Sequence, residues 1–396
     1  MRKTHLLILF TLFNLLTISA TTWAQEVPTP ELFLTPIFQV NYGDATADKP
    51  QSKSWTINQE QWLIVADEDG PKLWKKEGQR WTSQREVNRA WENLPSKADV
   101  LNKGDEVHVV LVEACDLNVV KMVYSPGTKQ YKHQWNAILP VPAECHSIET
   151  ATLTQDSNNS YWVAADMNEK IMVWYSADGE DWSEPFPLAD DINPDDISLI
   201  VSLEDQISVI WSNQDTQSIN ERIHYDEDAP QVWSELRVVQ QGDSNADDHL
   251  NATVFENGEM VLVTKNSVDQ IGSPQFVLRI RDRLGEWTNI PFENLTAEHS
   301  PSRPIINHVE SGQIFEIHAV KNRVTNRYHI SVNEVKKKNG GWEFKELVQL
   351  KTEINGKNGD ATSSKASFKP EEAKLIFFSD ELGNVYSFDI DHIIKK

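Results

Sequence analysis

A seven-bladed β-propeller, an all-β fold of four-stranded antiparallel blades, is predicted by three features of this sequence. Tryptophan recurs as Trp81, Trp135, Trp182, Trp233, Trp287 and Trp342, spaced 54, 47, 51, 54 and 55 residues apart. Short runs of alternating apolar residues precede each tag, two before Trp81 and Trp135 and three before each of the others. Repetition at this period, with several short strands per unit, marks sheets arranged radially around an axis. The third feature is an incomplete last unit of three strands, matched by a strand-like N-terminal segment, residues 32–40, that precedes the first full unit near Trp55. Pairing of 32–40 with 385–390 is expected to complete the last blade and close the ring, which removes two open sheet edges.

The fifth unit shows the pattern most clearly. Residues 249–256, 259–265, 275–281 and 286–292 read as its four strands, with Asn257-Gly258 as a two-residue turn at positive φ. Met260-Val261-Leu262-Val263 is apolar on both faces, as a strand held between neighbouring blades must be. In the second unit, 106–114, 118–125 and a strand around Trp135 are expected; in the third, 148–155, 161–165, 171–176 and the segment after Trp182. The fourth reads as 197–203, 207–212, 222–225 and 232–239, and the sixth as 302–309, 313–320, 327–335 and 342–350. The last unit reads as 364–368, 374–378 and 385–390. The first unit is the least regular.

Composition narrows the partners. Arg2 and Lys3 precede an apolar stretch from Leu6 to Ile18, and Thr22-Trp23-Ala24 supplies a small-residue cut, so residues 1–24 read as a secretory signal peptide. The remainder, 25–396, is expected to be one propeller domain, soluble and exported to the periplasm or beyond. With 37 basic and 60 acidic residues the formal charge is −23. That field repels nucleic acid and anionic membranes, so neither is expected as a partner. No Gly-rich phosphate loop, cofactor motif or metal-ligand pattern stands out, and no cofactor or metal is expected.

The segment Ser176-Ala-Asp-Gly-Glu-Asp-Trp182 resembles the Asp-box, or BNR, repeat of sialidase-like propellers, one residue shorter than the usual spacing. In that repeat the Ser and Asp stabilise a tight turn and the aromatic packs beneath it. A second likeness runs through Asp247-Asp-His-Leu-Asn251, Val263-Thr-Lys265, Val277-Leu-Arg-Ile-Arg-Asp282 and Arg303-Pro-Ile-Ile306. These segments look like secreted BNR-type propellers and are distantly similar to propeller polysaccharide lyases of uronate polymers. There an inner-strand Asp-x-His carries the catalytic histidine, which implies that role for His249. No Arg-Ile-Pro near the N-terminus and no Arg triad accompany the Asp-box, so sialidase activity is not implied.

Propeller topology converts these segments into geometry. First strands begin at one face of the ring, second strands return to it, and the turns between third and fourth strands lie opposite. Asp248, His249, Asn251, Lys265, Arg303 and His318 are thereby expected around one channel mouth, with the Asp-box pointing away. Arg303 is suited to hold a carboxylate bidentately, Lys265 to supply a point charge, and Asp248 and Asn251 to take sugar hydroxyls. His249 would then remove a uronate α-proton near neutral pH. Tyr161 and Tyr225 are possible acid donors, but their strand positions do not favour the rim. Cys115 and Cys145 fall on the same rim in adjacent blades and are expected to form a disulfide. The expected function is that of a carbohydrate-binding or carbohydrate-active propeller, lyase-like or hydrolase-like on an acidic polysaccharide or oligosaccharide. The rival is a non-catalytic platform for a protein partner.

Overall fold

The computed structural model describes residues 29–394 apart from 48–49, 243, 269, 323–324, 339–340, 354–356 and 358; the expected signal peptide lies outside the described residues. Seven sheets succeed one another around the ring, five of four strands, one of five and one of three. Seven apolar clusters lie between them, one at each blade interface. Blade five is Leu250–Val254, Met260–Lys265, Phe276–Arg281 and Trp287–Pro291. Its second strand is buried nearly throughout, whereas fourth strands such as Phe186–Asp190 alternate between burial and exposure at the outer surface.

The tryptophan tags have a packing reason. Trp182, Trp233, Trp287 and Trp342 each pack against the cluster shared with the preceding blade, and Trp81 packs on the cluster that joins the last blade to the first. Trp135 is the exception and faces blade three. A bulge between His133 and Trp135 shifts the register of its strand against Asp116–Ser125. One extra residue reverses which face the following side chains take, so Tyr131 stays with blade one while Trp135 turns the other way.

Ring closure divides the N-terminal segment in two. Phe38 pairs with Val385 and Gln39 with Asn384, antiparallel, which completes the last blade. Glu31–Leu34 instead runs parallel to the outer strand of blade six, Gly341–Thr352, and makes that sheet five-stranded. The expected continuous pairing of 32–40 with 385–390 is therefore corrected to two residues. Thr35-Pro36 separates the two pieces, and a proline has no N–H to give a ladder.

Other boundaries moved for local reasons. Blade two gains a first strand, Lys97–Lys103, hidden in the sequence because Asp99 interrupts its apolar alternation. Asp99 is fully buried at the ring axis and accepts the backbone N–H groups of Ser52 and Leu153, both at 2.8 Å. In blade four the fourth strand is Arg237–Gln241, not 232–239. Trp233 sits in the preceding turn, donating from Nε1 to the Pro230 carbonyl at 3.0 Å. The inner edge of the last blade lies at Thr362, which bridges Phe377, rather than along 364–368. Of the Asn257-Gly258 pair only Gly258 takes a positive φ, +78°; Asn257 instead caps the turn by accepting the Glu259 N–H at 3.0 Å.

The channel is crossed rather than open. Gln51 Nε2 donates to the Ala151 carbonyl at 3.0 Å, and Thr362 Oγ1 donates to the Gln51 carbonyl at 3.3 Å. Lys365 bridges Asp99 and the Leu153 carbonyl. Beyond this crossing a cavity of about 190 Å³ is lined by the far halves of the first strands, including Val100, Leu101, Val201, Ala252 and Val254. That end of the axis is mostly apolar.

Cys115 and Cys145 form the disulfide between blades two and three, 30 residues apart in sequence. Closing a loop of that length is worth about 3–4 kcal/mol on the chain-entropy model. Replacing both cysteines with serine is expected to lower stability by that amount, read as a fall in the urea midpoint that reductant reproduces in the unaltered chain. An unchanged midpoint would show that the neighbouring strands alone hold these blades in register.

Candidate functional site

The rim between blades five and six gathers most of the expected residues. His249 immediately precedes the first strand of blade five, and Lys265 ends the second. The two are joined through the backbone, Lys265 N–H to the His249 carbonyl at 3.0 Å. Ser302 and Arg303 lie at the start of Pro301–His308 in blade six, where the ladder slips between Ser302 and Ile305. Arg303 takes φ +57° within this bulge. A left-handed conformation is costly for an arginine. It follows here from the unpaired residues of the bulge and from Pro304, which cannot donate to a ladder.

His249 is buried between charges. Its Nδ1 lies 2.5 Å from both Asp247 Oδ1 and Asp248 Oδ1. Asp247 also accepts Lys265 Nζ at 2.5 Å and Ser267 Oγ at 3.0 Å on its other oxygen. On the far side of the ring, His249 Nε2 meets Ser302 Oγ at 3.2 Å. Burial works to lower the histidine, but bonds to Asp247 and Asp248 and their negative charges outweigh it and raise its pKa. Burial likewise opposes ionisation of Asp247, yet its bonds to His249 and Asp248 and the charges of His249 and Lys265 hold its carboxyl far below the usual range.

This arrangement alters the roles expected of three residues. The cluster favours the imidazolium form, so His249 is better placed to donate a proton than to remove one near neutral pH. Lys265 is engaged by Asp247, and Arg303 Nε is paired with Asp360 of the last blade, so neither cation stands ready for a ligand carboxylate without exchanging a partner. Asn251 uses its side-chain oxygen to accept the Ile306 N–H at 3.0 Å, stitching blade five to blade six. In the sequence Asp247 has no role beyond its place in the Asp-x-His likeness, and Ser302 is not singled out. Asp247 adjoins the chosen pair, but Ser302 is 53 residues from His249, and only the ring brings them together. Single atoms of Asp247, Asp248 and His249 lie within 4.8 Å of one another, a set a cation can share. Here Lys265 and the imidazolium already balance the two carboxylates.

The pH response of this cluster has a definite sign. His249, raised on folding, contributes stability in full below the ordinary histidine value and loses it as pH rises through the folded one. Asp247, lowered on folding, contributes above the ordinary carboxylate value and loses it on acidification. Stability is therefore expected to fall at both ends of a titration from about pH 3 to about pH 9. His249→Ala should flatten the alkaline fall, measured as the urea midpoint against pH; a variant with the original profile would contradict this.

His318 does not join the cluster. It lies inside Ile314–Lys321, fully buried, with Nδ1 at 2.9 and 3.0 Å from the Glu316 carboxylate oxygens. Its ring stands edge-on to Phe276 of blade five. It borders a separate cavity of about 380 Å³ between blade six and the segment that leaves blade five. Tyr161 is buried in the interface between blades two and three, and Tyr225 is half-exposed at the end of a third strand in blade four.

On the opposite face, the turn at Ser176–Trp182 is closed by its own side chains. Ser176 Oγ accepts the Gly179 N–H at 2.8 Å, and Asp178 Oδ1 accepts those of Glu180 and Asp181, both at 2.9 Å. Those backbone bonds lower the Asp178 pKa. Trp182 Nε1 returns to the Gly179 carbonyl at 2.8 Å. All these partners are local, so the turn is accounted for as a backbone cap.

No family model matches the chain, and no curated protein matches it by sequence. Among solved structures it is similar to a catalytically inactive variant of virginiamycin B lyase from Staphylococcus aureus with quinupristin, with a TM-score of 0.50 and 11% identity over 89% of this chain and 98% of that one. It is also similar to an α-L-arabinanase from Penicillium chrysogenum complexed with arabinobiose, with a TM-score of 0.45 and 12% identity over 78% and 99%. An α-L-arabinofuranosidase from Fusarium graminearum in complex with an iminosugar inhibitor gives 0.45 and 10% over 77% and 98%. At these identities the likeness is one of fold.

Proposed function

We propose that this chain is an exported propeller that binds a polysaccharide or oligosaccharide at the rim of blades five and six, and that it cleaves the bound chain with His249 as proton donor. The observation that carries this reading is the His249–Ser302 contact beside the left-handed Arg303. A buried imidazole, polarised by two carboxylates, ends on a half-buried hydroxyl at the surface. Whether a glycosidic bond breaks by hydrolysis or by β-elimination, the leaving oxygen needs a proton. The imidazolium can supply it through Ser302, and Asp247 and Asp248 stabilise the charged ring until then. In elimination the uronate α-proton departs to a base, a C=C bond forms and the C–O bond breaks. In hydrolysis water adds instead. Arg303, partly exposed, can exchange Asp360 for a ligand carboxylate, which favours an acidic polymer. The disulfide suits an oxidising compartment and supports export. The distant resemblance of Asp247-Asp-His249 to lyase segments points the same way.

A digestion screen of neutral and uronate polysaccharides, read by new reducing ends and by absorbance of unsaturated sugar, tests the proposal. His249→Ala and Ser302→Ala should each reduce turnover by about a hundredfold or more with the fold intact. Equal turnover by the unaltered chain and His249→Ala would end the catalytic reading. Failure of the unaltered chain on every polymer would leave the protein-binding platform as the better account.

A further inference from the structure

The face of blade six that meets blade five changes character along its length. Away from the rim, Ile314, Val335 and Phe344 pack with apolar residues of blade five. Toward the rim the pairing sets polar side chains in rows: Glu316 opposite Asn333 and then Glu346, and His318 opposite Ser331 and then Gln349. Blade five leaves this area uncovered. Its fourth strand is Trp287–Pro291, five residues, against twelve in Gly341–Thr352 of blade six. The cavity of about 380 Å³ that remains is bounded by Asn294, Leu295 and Glu298 on the blade-five side. A second cavity of about 530 Å³ shares Asn322, His329 and Gln349 with it and continues outward. Its outer wall is the N-terminal strand, which presents Glu31 and the largely exposed Phe33.

A buried, unpartnered atom points to an occupant. His318 Nε2 has no hydrogen-bond partner among the described residues, although Nδ1 is held by Glu316 and the residue is fully buried on the cavity wall. Leaving such a nitrogen unsatisfied is costly unless water or a ligand reaches it. Arg327 lines the outer cavity, and the other nearby charges are engaged by neighbours. Lys351 is paired with Glu31, and Lys321 lies over the Tyr328 ring. Glu346 accepts from Ser331 Oγ at 2.7 Å and Gln349 Nε2 at 3.1 Å. Burial lowers His329 to about 4, so that ring is neutral at ordinary pH.

We infer that this cleft is a second binding site, distinct from the His249 cluster, for a short neutral oligosaccharide. Planar amides, a carboxylate and imidazoles suit sugar hydroxyls, and Phe33, Tyr328 and Phe344 offer apolar surface to the C–H faces of a pyranose or furanose ring. Acidic sugars are disfavoured in the inner cavity, where Glu298 and Glu346 outnumber Lys321, while in the outer one Glu31 stands with Lys351 and Arg327. The inference does not depend on catalysis at His249.

Calorimetric titration of the full chain with homotrisaccharides of glucose, xylose, mannose, galactose and arabinose tests it, with trigalacturonate as the charged control. At least one neutral trisaccharide should bind with Kd below about 1 mM. Gln349→Ala and Glu346→Gln should each weaken that binding by about tenfold or more, while His249→Ala leaves it unchanged. Gln349 is only half-buried, so its alanine variant guards against misfolding as the cause; matching circular dichroism and urea midpoint confirm it. Absence of binding by all five trisaccharides overturns the inference. So does binding that survives both cleft variants, that is lost in His249→Ala, or that trigalacturonate matches.

Discussion

Replacing Glu221 with leucine is expected to lower stability by about 3–5 kcal/mol, the cost of removing one member of a buried ion pair. Glu221 is fully buried in the third strand of blade four and accepts three bonds, each of 2.9 Å: from Arg281 Nε, Trp287 Nε1 and Ser208 Oγ. Arg281 and Trp287 belong to blade five, so one carboxylate holds two blades and one of the tryptophan tags. Leucine fills similar space but leaves the buried guanidinium without its counter-charge. The urea midpoint of Glu221→Leu measures the loss. Adding Arg281→Met should recover most of it, because burying two well-packed apolar groups costs little. A single variant within about 1 kcal/mol of the original chain would contradict the argument.

Removing the chain up to residue 40 is expected to destabilise the ring by about 5 kcal/mol and to make it self-associate. Phe38 stacks on Trp74 at 3.8 Å and contacts Trp81, and Val40 belongs to the cluster between the last blade and the first. Without this segment that apolar surface is exposed, and Asn384–Asp389 becomes an open edge with unpaired backbone groups. Light scattering after size exclusion should show dimers or larger species, and unfolding should lose cooperativity. A monomer with an unchanged urea midpoint would mean that closure depends on blade packing alone. Phe38→Ala, which keeps the edge paired, separates lost packing from the exposed edge.

Much of the ring is legible in the sequence because strand character is local. The period-two alternation and doubly apolar second strands identify blade five to within one or two residues at each strand end. Errors fall where a polar residue is buried for a distant partner, as with Asp99, or where proline cuts a strand-like run, as at Pro36. The site was legible only in part. Asp248, His249, Lys265 and Arg303 do lie along one rim, as strand direction implies, yet direction says nothing of their partners.

From the amino acids alone came the all-β repeat, the use of the N-terminal segment to complete the last blade, and the rim position of the cysteines. Each rests on spacing and alternation along the chain, which neighbouring residues enforce. The ring decided what spacing cannot encode: Asp360 against Arg303, Ser302 against His249, and His318 turned to a cavity of its own. Those pairings join residues of different blades, and a bulge of a single residue is enough to change which face a side chain takes.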